Sequence, residues 1–139
     1  MDHVATMRRS YDLVNVGDID GLGELLADDL VEHEVMPGLE PTKEGVMAAF
    51  RMYRAAFPDL SCVLEDVFAG GDRVVVRGRW TGTHQGPFMD MPATAKRIDM
   101  PFIDIMRMGD DGLGHEHWGI QDALTMMQQL GAMPEAPTG

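Results

Sequence analysis

The sequence predicts an α+β fold in which helices pack on one face of a curved, mainly antiparallel sheet. The N-terminal half carries three helical patterns around a single strand pattern, and a run of four strand patterns follows. The sequence has no strand–helix–strand alternation and no glycine-rich phosphate loop. Helices segregated to one face of an antiparallel sheet define the α+β class.

The first helix is predicted by apolar residues at helical spacing near the N-terminus. Gly17 can adopt the left-handed conformation that ends a helix, and Asp18 can cap the helix that follows. The predicted buried stripe of the first helix is Val4, Met7, Tyr11 and Val14.

A short second helix, a strand and a third helix are predicted next. The second helix buries Leu22, Leu25 and Leu26, and alternation over residues 30–35 indicates the strand. Thr42 is a plausible cap for the third helix, which ends before Pro58 because a residue preceding proline is disfavoured in the helical region. Its predicted buried stripe is Val46, Ala49, Phe50, Tyr53 and Phe57.

The C-terminal half is predicted to form four strands and a closing helix. Glycine-containing turns at 70–72 and 110–112 join the first and the last pair of strands as hairpins. Residues 1–133 are expected to form a single domain, and 134–139 a loose tail. The predicted strands cover residues 61–68, 73–84, 96–108 and 113–120, and the helix covers 123–130.

Composition excludes several classes of function. The chain has 139 residues, and its 11 Lys and Arg against 23 Asp and Glu give a net charge of −12. An acidic chain repels phosphate backbones, so nucleic-acid binding is not expected. Apolar runs are too short to span a membrane, and the N-terminus does not resemble a signal peptide. Cys62 is the only cysteine, which fits a cytoplasmic protein without disulfides.

Side-chain parity predicts which residues face an internal cavity. In the strand at 73–84 the arginines occupy odd positions, so the even positions face inward and direct Trp80 and His84 into the interior. In the last hairpin, a three-residue turn with Gly112 in the left-handed conformation is favoured, which places Asp104 near Trp118. The alternative, a four-residue loop, would shift the pairing by one residue and bring His115 and His117 beside Asp104.

With the favoured register, one wall combines carboxylates with apolar groups. Buried carboxylates are costly unless they are paired or used in chemistry, which favours a catalytic site. Asp122 could instead only cap the closing helix. His33 shares the inward face of its strand and could meet the carboxylates. The predicted wall is Met100, Phe102, Asp104, Met106, Glu116, Trp118, Ile120 and Asp122.

A metal site is not expected. His115 and His117 have the spacing of two ligands on one strand face, but no further His or Glu follows at ligand spacing. In the favoured register, both rings point away from the cavity.

Several short segments occur in a characteristic order along the chain. They are Asn15-x-Gly17-Asp18, Asp28-Asp29-x-x-x-x-His33, Phe57-Pro58-Asp59, Gly82-Thr83-His84-x-Gly86 and Asp111-Gly112-x-x-x-Glu116-His117-Trp118-x-x-x-Asp122, with Gln129-Leu130-Gly131 at the end. In these segments the chain resembles the SnoaL-like polyketide cyclase family over about residues 4–131. The resemblance implies the nuclear transport factor 2-like, or cystatin-like, cone of helices against a curved sheet. It also implies a cofactor-free aldol ring closure, with the residue matching Asp122 as acid/base and those matching His33 and His84 in the pocket.

The loop at 88–96 departs from the family pattern, where a Pro-Thr-Gly-Lys turn is usual. The leading hypothesis is proton transfer next to a carbonyl by Asp122, with no metal or nucleotide cofactor and with a small apolar or aromatic ligand. Hydrogen-bond donors for the developing enolate would be His33, His84, Trp80 or a protonated Asp104. The alternatives are water activation against an epoxide by close carboxylates, and a non-catalytic binding module. A homodimer through the outer sheet face is expected.

Overall fold

The computed structural model describes residues 2–134 of the chain. Four helices and five strands follow one another in an order that matches the predicted number and type of elements. In chain order the elements are α1 (His3–Val16), α2 (Ile19–Glu24), β1 (Leu26–Glu32), α3 (Lys43–Ala56), β2 (Ser61–Gly70), β3 (Arg73–Thr83), β4 (Arg97–Met108), β5 (Gly114–Gln121) and α4 (Ala123–Gln129).

The strands form one mixed sheet in the order β1-β5-β4-β3-β2, with β1 parallel to β5 and the other pairs antiparallel. The α+β class is therefore confirmed, together with helices packed on a curved sheet. The core lies between that sheet and the helices, and the predicted stripe residues Met7, Tyr11 and Val14 of α1 are buried in it.

Short polar side chains cap the helices where the sequence predicts them. The carboxylate of Asp18 accepts a hydrogen bond from the Gly21 N–H, and the hydroxyl of Thr42 accepts one from the Gly45 N–H. Gly17 ends α1 with a φ of 80°, a conformation that a residue without a Cβ adopts readily. These caps determine where α1 ends and where α2 and α3 begin.

Strand β1 begins earlier than the sequence predicts. It covers Leu26–Glu32 instead of residues 30–35, and α2 ends at Glu24. Leu26 and Leu30 are buried, and the pairing with β5 is irregular between Leu26 and Val31. Because of this irregularity, buried and exposed residues do not alternate along the first part of β1. The alternation that indicates a strand in the sequence is present only at the C-terminal end of β1. Residues 33–42 then form a loop over one end of the sheet.

The predicted register of the β4–β5 hairpin is wrong after its first pair. Met108 pairs with Gly114 as expected, and Gly112 has the predicted left-handed φ of 78°. The next pair joins Arg107 to Glu116, so His115 is the extra residue of a β-bulge. One extra residue moves every later side chain of β5 to the opposite face. His117 therefore faces the core, and Trp118 faces outward.

Among the described residues, no helix combines the length and the apolar character needed to cross a membrane. Most of the predicted tail, residues 135–139, lies outside the described part of the chain.

Candidate functional site

A cavity lies between the sheet and the helices and opens beside the loop 33–42. Its volume of about 120 Å³ would hold several water molecules or a small organic molecule. The walls are mostly apolar, and the polar groups concentrate at the sheet. The aromatic lining residues are Tyr11, Phe50, Tyr53, Trp80 and Phe102.

Four of the predicted site residues line this cavity: Trp80, Phe102, Asp104 and Met106. They project from even positions of β3 and β4, as parity predicts. The rings of Trp80 and Phe102 stack with centroids 5.2 Å apart and form an aromatic part of the cavity wall. Their roles in binding and catalysis remain predictions.

The polar floor of the cavity is a group of five side chains, which we call the acidic cluster: Tyr11, Glu32, Glu34, Asp104 and His117. Tyr11 Oη donates to Asp104 Oδ2 at 2.5 Å. His117 bridges two acids, with Nδ1 2.6 Å from Glu32 Oε1 and Nε2 3.2 Å from Asp104 Oδ1. The cluster joins α1, β1, β4, β5 and the loop after β1.

The imidazole of His117 carries a positive charge at neutral pH. Burial alone opposes that charge, but hydrogen bonds and the charges of Asp104 and Glu32 outweigh burial and raise the pKa of His117 to about 10. His117 is thus a fixed cation between two carboxylates.

Glu34 differs from a surface carboxyl in its affinity for protons. Burial, followed by the negative charge of Asp104, raises the pKa of Glu34 to about 7. Gly119 makes room for it, because a Cβ at that position would overlap the Glu34 carboxylate and lie 2.5 Å from Asp104 Oδ1. Glu34 and Asp104 therefore approach the same point of β5.

Donor atoms of Glu34, Asp104 and His117 lie within 4.8 Å of one another, so these three residues could hold a metal ion. His115 is not part of this set. Its ring lies near the turn instead, 2.9 Å from Asp111 Oδ2. The spacing of His115 and His117 in the sequence does not bring their rings together, because the bulge turns the two side chains to different places.

Three predicted site residues lie on the outer face of the sheet: His33, Glu116 and Trp118. The His33 ring stacks on Trp118 with centroids 5.1 Å apart, and its Nε2 lies 2.7 Å from Glu116 Oε2. Hydrogen bonds from His33, then from Arg107, lower the pKa of Glu116. The prediction that Glu116 and Trp118 line the cavity is wrong because of the bulge, and His33 does not meet the cavity carboxylates.

His84 is fully buried but does not line the cavity. Its Nδ1 accepts a hydrogen bond from the Thr94 N–H at 3.2 Å, and its ring packs 5.3 Å from that of Phe57. Its inward direction is confirmed, but its partner is the loop at 88–96. This histidine ties the loop to the end of β3.

Asp122 lies at the surface, at the start of α4. Its carboxylate accepts hydrogen bonds from the hydroxyl of Thr125 at 2.6 Å and from the Thr125 N–H at 3.1 Å, and these lower its pKa. It does not line the cavity, so its predicted place on the cavity wall is wrong. The one-residue shift in the pairing of β5 explains why Asp122 does not face the cavity. The sequence analysis left open that Asp122 only caps the closing helix, and the structure shows this capping geometry.

Four members of the acidic cluster were not predicted as site residues: Tyr11, Glu32, Glu34 and His117. For His117 the sequence did contain a signal, because the alternative register of the last hairpin places it beside Asp104. Tyr11 was predicted only as part of the buried stripe of α1. Glu32 and Glu34 stood in a strand pattern whose true end, at Glu32, could not be read from alternation.

Comparison with solved structures finds close similarity over nearly the whole chain. TsrD from Streptomyces laurentii is 32% identical with a TM-score of 0.83, covering 93% of this chain and 94% of its own. IdmH from Streptomyces antibioticus, a candidate polyketide cyclase, is 34% identical with a TM-score of 0.81 and coverages of 94% and 99%. AclR from Streptomyces galilaeus, a candidate hydroxylase, is 26% identical with a TM-score of 0.88 and coverages of 99% and 85%.

A search of curated proteins finds no significant match. The family model described as SnoaL-like polyketide cyclase matches residues 5–130, which is most of the chain. The helices packed on a mixed five-stranded sheet agree with that match, and the family supports a cyclase or isomerase type of activity. The chain belongs to the SnoaL-like polyketide cyclase family.

Proposed function

We propose that the protein catalyses proton transfer at a carbon next to a carbonyl, in an aldol-type ring closure of a small apolar substrate. The observation that carries the proposal is the acidic cluster at the floor of an otherwise apolar cavity. It combines a carboxylate, a cationic imidazole and a carboxyl group with a pKa raised to about 7. Such a set supplies a base, an electrostatic stabiliser and an acid.

Asp104 is the base in this proposal. Its carboxylate removes the proton from the carbon, and the His117 imidazolium donates a hydrogen bond to the oxygen of the developing enolate. The Nε2–Oδ1 contact of 3.2 Å is the longer of the two His117 contacts, so this N–H is the one available to a substrate oxygen.

Glu34 is the acid. The enolate carbon forms a bond to the second carbonyl carbon, and the oxygen of that carbonyl takes the proton from Glu34. The substrate gains and loses one proton, so ring closure is an isomerisation with no co-reactant. Asp104 ends protonated and Glu34 ionised, and a proton passed between them restores the starting state. The stacked rings of Trp80 and Phe102 would hold a flat substrate beside these groups.

The test compares Asp104→Asn with Asp122→Asn, two matched changes from carboxylate to amide. We expect Asp104→Asn to reduce kcat/KM for a substrate carrying two carbonyl groups by at least about 100-fold, because a positioned acid or base contributes roughly 10² to 10⁴ in rate. Asp122→Asn should keep nearly full activity, since Asn also caps a helix. A larger loss of kcat/KM in Asp122→Asn than in Asp104→Asn would identify Asp122 as the base, as the family resemblance implies.

Water activation against an epoxide is a second candidate function. The observation favouring it is the proximity of Glu34 and Asp104, since one carboxylate can deprotonate water while the other carboxyl protonates the epoxide oxygen. None of the described residues that line the cavity is an arginine, and His117 is the cation between the acids. Presenting the wild-type protein with an apolar epoxide and with an open-chain dicarbonyl, and measuring diol against cyclic product, separates the two functions.

A further inference from the structure

The cavity has a second polar point, further along β5 than the acidic cluster. Gln121 is the last residue of β5 and pairs with Phe102 of β4. Two residues earlier, Gly119 pairs with Asp104. Alternate residues of a strand share a face, so Gln121 also lines the cavity, about 7 Å along the strand from Gly119. Its amide Nε2 donates a hydrogen bond to Tyr53 Oη of α3 at 2.8 Å, and this contact defines the Tyr53–Gln121 pair.

The Tyr53–Gln121 pair can make further hydrogen bonds. Tyr53 Oη accepts the bond from the amide, so the phenol keeps its own O–H as a donor, and Gln121 Oε1 is an acceptor. Among residues 2–134, neither this O–H nor Oε1 has another hydrogen-bond partner. Tyr53 is only 9% exposed, and a buried polar group without a partner is costly. The pair therefore offers one donor and one acceptor to a molecule in the cavity.

Packing and charge indicate which chemical group fits the Tyr53–Gln121 pair. The Tyr53 ring packs against Phe88 and Phe57, with centroids 5.1 Å and 6.4 Å apart. Burial raises the pKa of Tyr53, the hydrogen bond from Gln121 opposes this, and the charge of Glu34 adds to it, so the phenol is neutral near pH 7. A hydroxyl group can both accept from the phenol and donate to the amide. A carboxylate can only accept, and the charge of Glu34 would repel it.

We propose that Tyr53 and Gln121 bind a neutral hydroxyl group of the substrate while its reacting carbonyl faces the acidic cluster. The inference rests on the proposed function, because it orients the substrate relative to the groups assigned to proton transfer. It narrows the substrate class to apolar carbonyl compounds that carry a hydroxyl group about 7 Å from the reacting carbon. Tyr53 and Gln121 are thus residues that determine specificity.

Calorimetric titration with 4-hydroxyacetophenone and acetophenone tests the proposal. The two probes share a flat ring and a carbonyl group, and they differ only in a hydroxyl at the opposite end of the ring. At a pH where that hydroxyl is neutral, we expect the wild type to bind 4-hydroxyacetophenone at least about fivefold more tightly, as one net hydrogen bond predicts. Tyr53→Phe and Gln121→Met should each remove this preference and leave the affinity for acetophenone nearly unchanged.

Phe50→Leu is the matched control, because Phe50 also lines the cavity but its ring packs against Trp80, with centroids 5.7 Å apart. It should weaken the binding of both probes by a similar factor and keep the preference for the hydroxyl. A wild type without this preference would overturn the proposal, and so would a Tyr53→Phe protein that retains it. The wild-type comparison needs no variant, so it tests the proposal even where a substitution prevents folding.

Binding of these probes is measured without turnover, which keeps this inference separate from the proposed function. Each probe has a single carbonyl group, so neither can undergo the ring closure. An enzyme that closes rings but shows no preference for 4-hydroxyacetophenone would contradict this inference alone. A protein that shows the preference, but in which Asp104→Asn retains full activity, would contradict the proposed role of Asp104 alone.

Discussion

Two carboxyl groups at the residue scale show how environment separates chemically similar side chains. Asp122 caps a helix in solvent, and the Thr125 hydroxyl and N–H hold its pKa low. Glu34 lies in the cavity, where burial and the charge of Asp104 raise its pKa to about 7. A carboxyl that is half protonated near neutral pH suits proton transfer, whereas a capping carboxylate in water suits stability.

The pH dependence of the reaction should report the titration of Glu34. Since Glu34 has to donate a proton, activity should be present below about pH 7 and fall as the pH rises through that value. Glu34→Gln keeps the side-chain size but cannot give up a proton, so it should lose at least about tenfold in rate together with this basic limb. A pH–rate profile of both proteins measures this, and an unchanged limb in Glu34→Gln would remove Glu34 from the mechanism.

Asp122 provides a complementary test of stability. Asp122→Ala should lower the midpoint of thermal unfolding by a few degrees, because α4 loses its N-terminal hydrogen-bond acceptor. Asp122→Asn, which retains an acceptor oxygen, should unfold close to the wild type. Calorimetry of the three proteins distinguishes these outcomes, and equal midpoints for Ala and Asp would argue against the capping role.

At the element scale, one bulged residue in β5 determines the composition of the site. His115 leaves the regular pairing, and its ring lies against Asp111 near the turn. From Glu116 onward every side chain is reversed relative to a regular hairpin. The bulge thus brings His117 to the cavity and places Trp118 on the outer face, where Arg73 lies 5.4 Å from its ring centroid.

Gly119 is the position where β5 accommodates the acidic cluster. Gly119→Ala adds a Cβ that would overlap the Glu34 carboxylate and crowd Asp104, so both groups must move. We expect a loss of about 1–3 kcal/mol in the free energy of unfolding, as for other overpacked sites, and a marked loss of activity. Chemical denaturation and kcat/KM measure the two effects. A fully active Gly119→Ala would show that the approach of these carboxyl groups to β5 is not required.

At the scale of the whole molecule, the outer face of the sheet carries a group of apolar side chains on β4 and β5, with charged residues such as Arg77 on the neighbouring strand. Ile103 is 51% exposed and Ile120, its partner across β4 and β5, is 79% exposed. Ile105 pairs with Trp118 beside them. The predicted position of His117 on this face is wrong, because the bulge replaces it with Trp118. The bulge therefore adds Trp118, together with Glu116, to this face.

We propose that two copies of the chain associate through this outer face. Ile120→Lys should weaken the dimer, because it places a charge in the centre of the apolar contact. Val16→Lys is the matched control, since Val16 is 75% exposed at the end of α1. Sedimentation at micromolar concentration should give a dimer for the wild type and for Val16→Lys, and a monomer for Ile120→Lys. A monomeric wild type would contradict the proposal.

The sequence by itself determined the features that depend on local patterns. Alternation, helical spacing and capping residues predicted the α+β class, the order of elements and the inward faces of β3 and β4, including Asp104. These signals act over a few residues and are written directly in the chain. The family resemblance likewise depended on short segments in a fixed order.

Only the tertiary structure decided which side chains meet. The turn chemistry predicted the first pair of the last hairpin correctly. The bulge at His115 lies where the pairing of β1 along the other edge of β5 is also irregular, and no local pattern in the hairpin encodes it. A shift of one residue in the pairing exchanges the two faces of a whole strand. In the structure, Glu116, Trp118 and Asp122 therefore lie away from the cavity, and His117 faces it. The acidic cluster joins residues as distant in sequence as Tyr11 and His117, and only packing of α1 against the sheet brings them together.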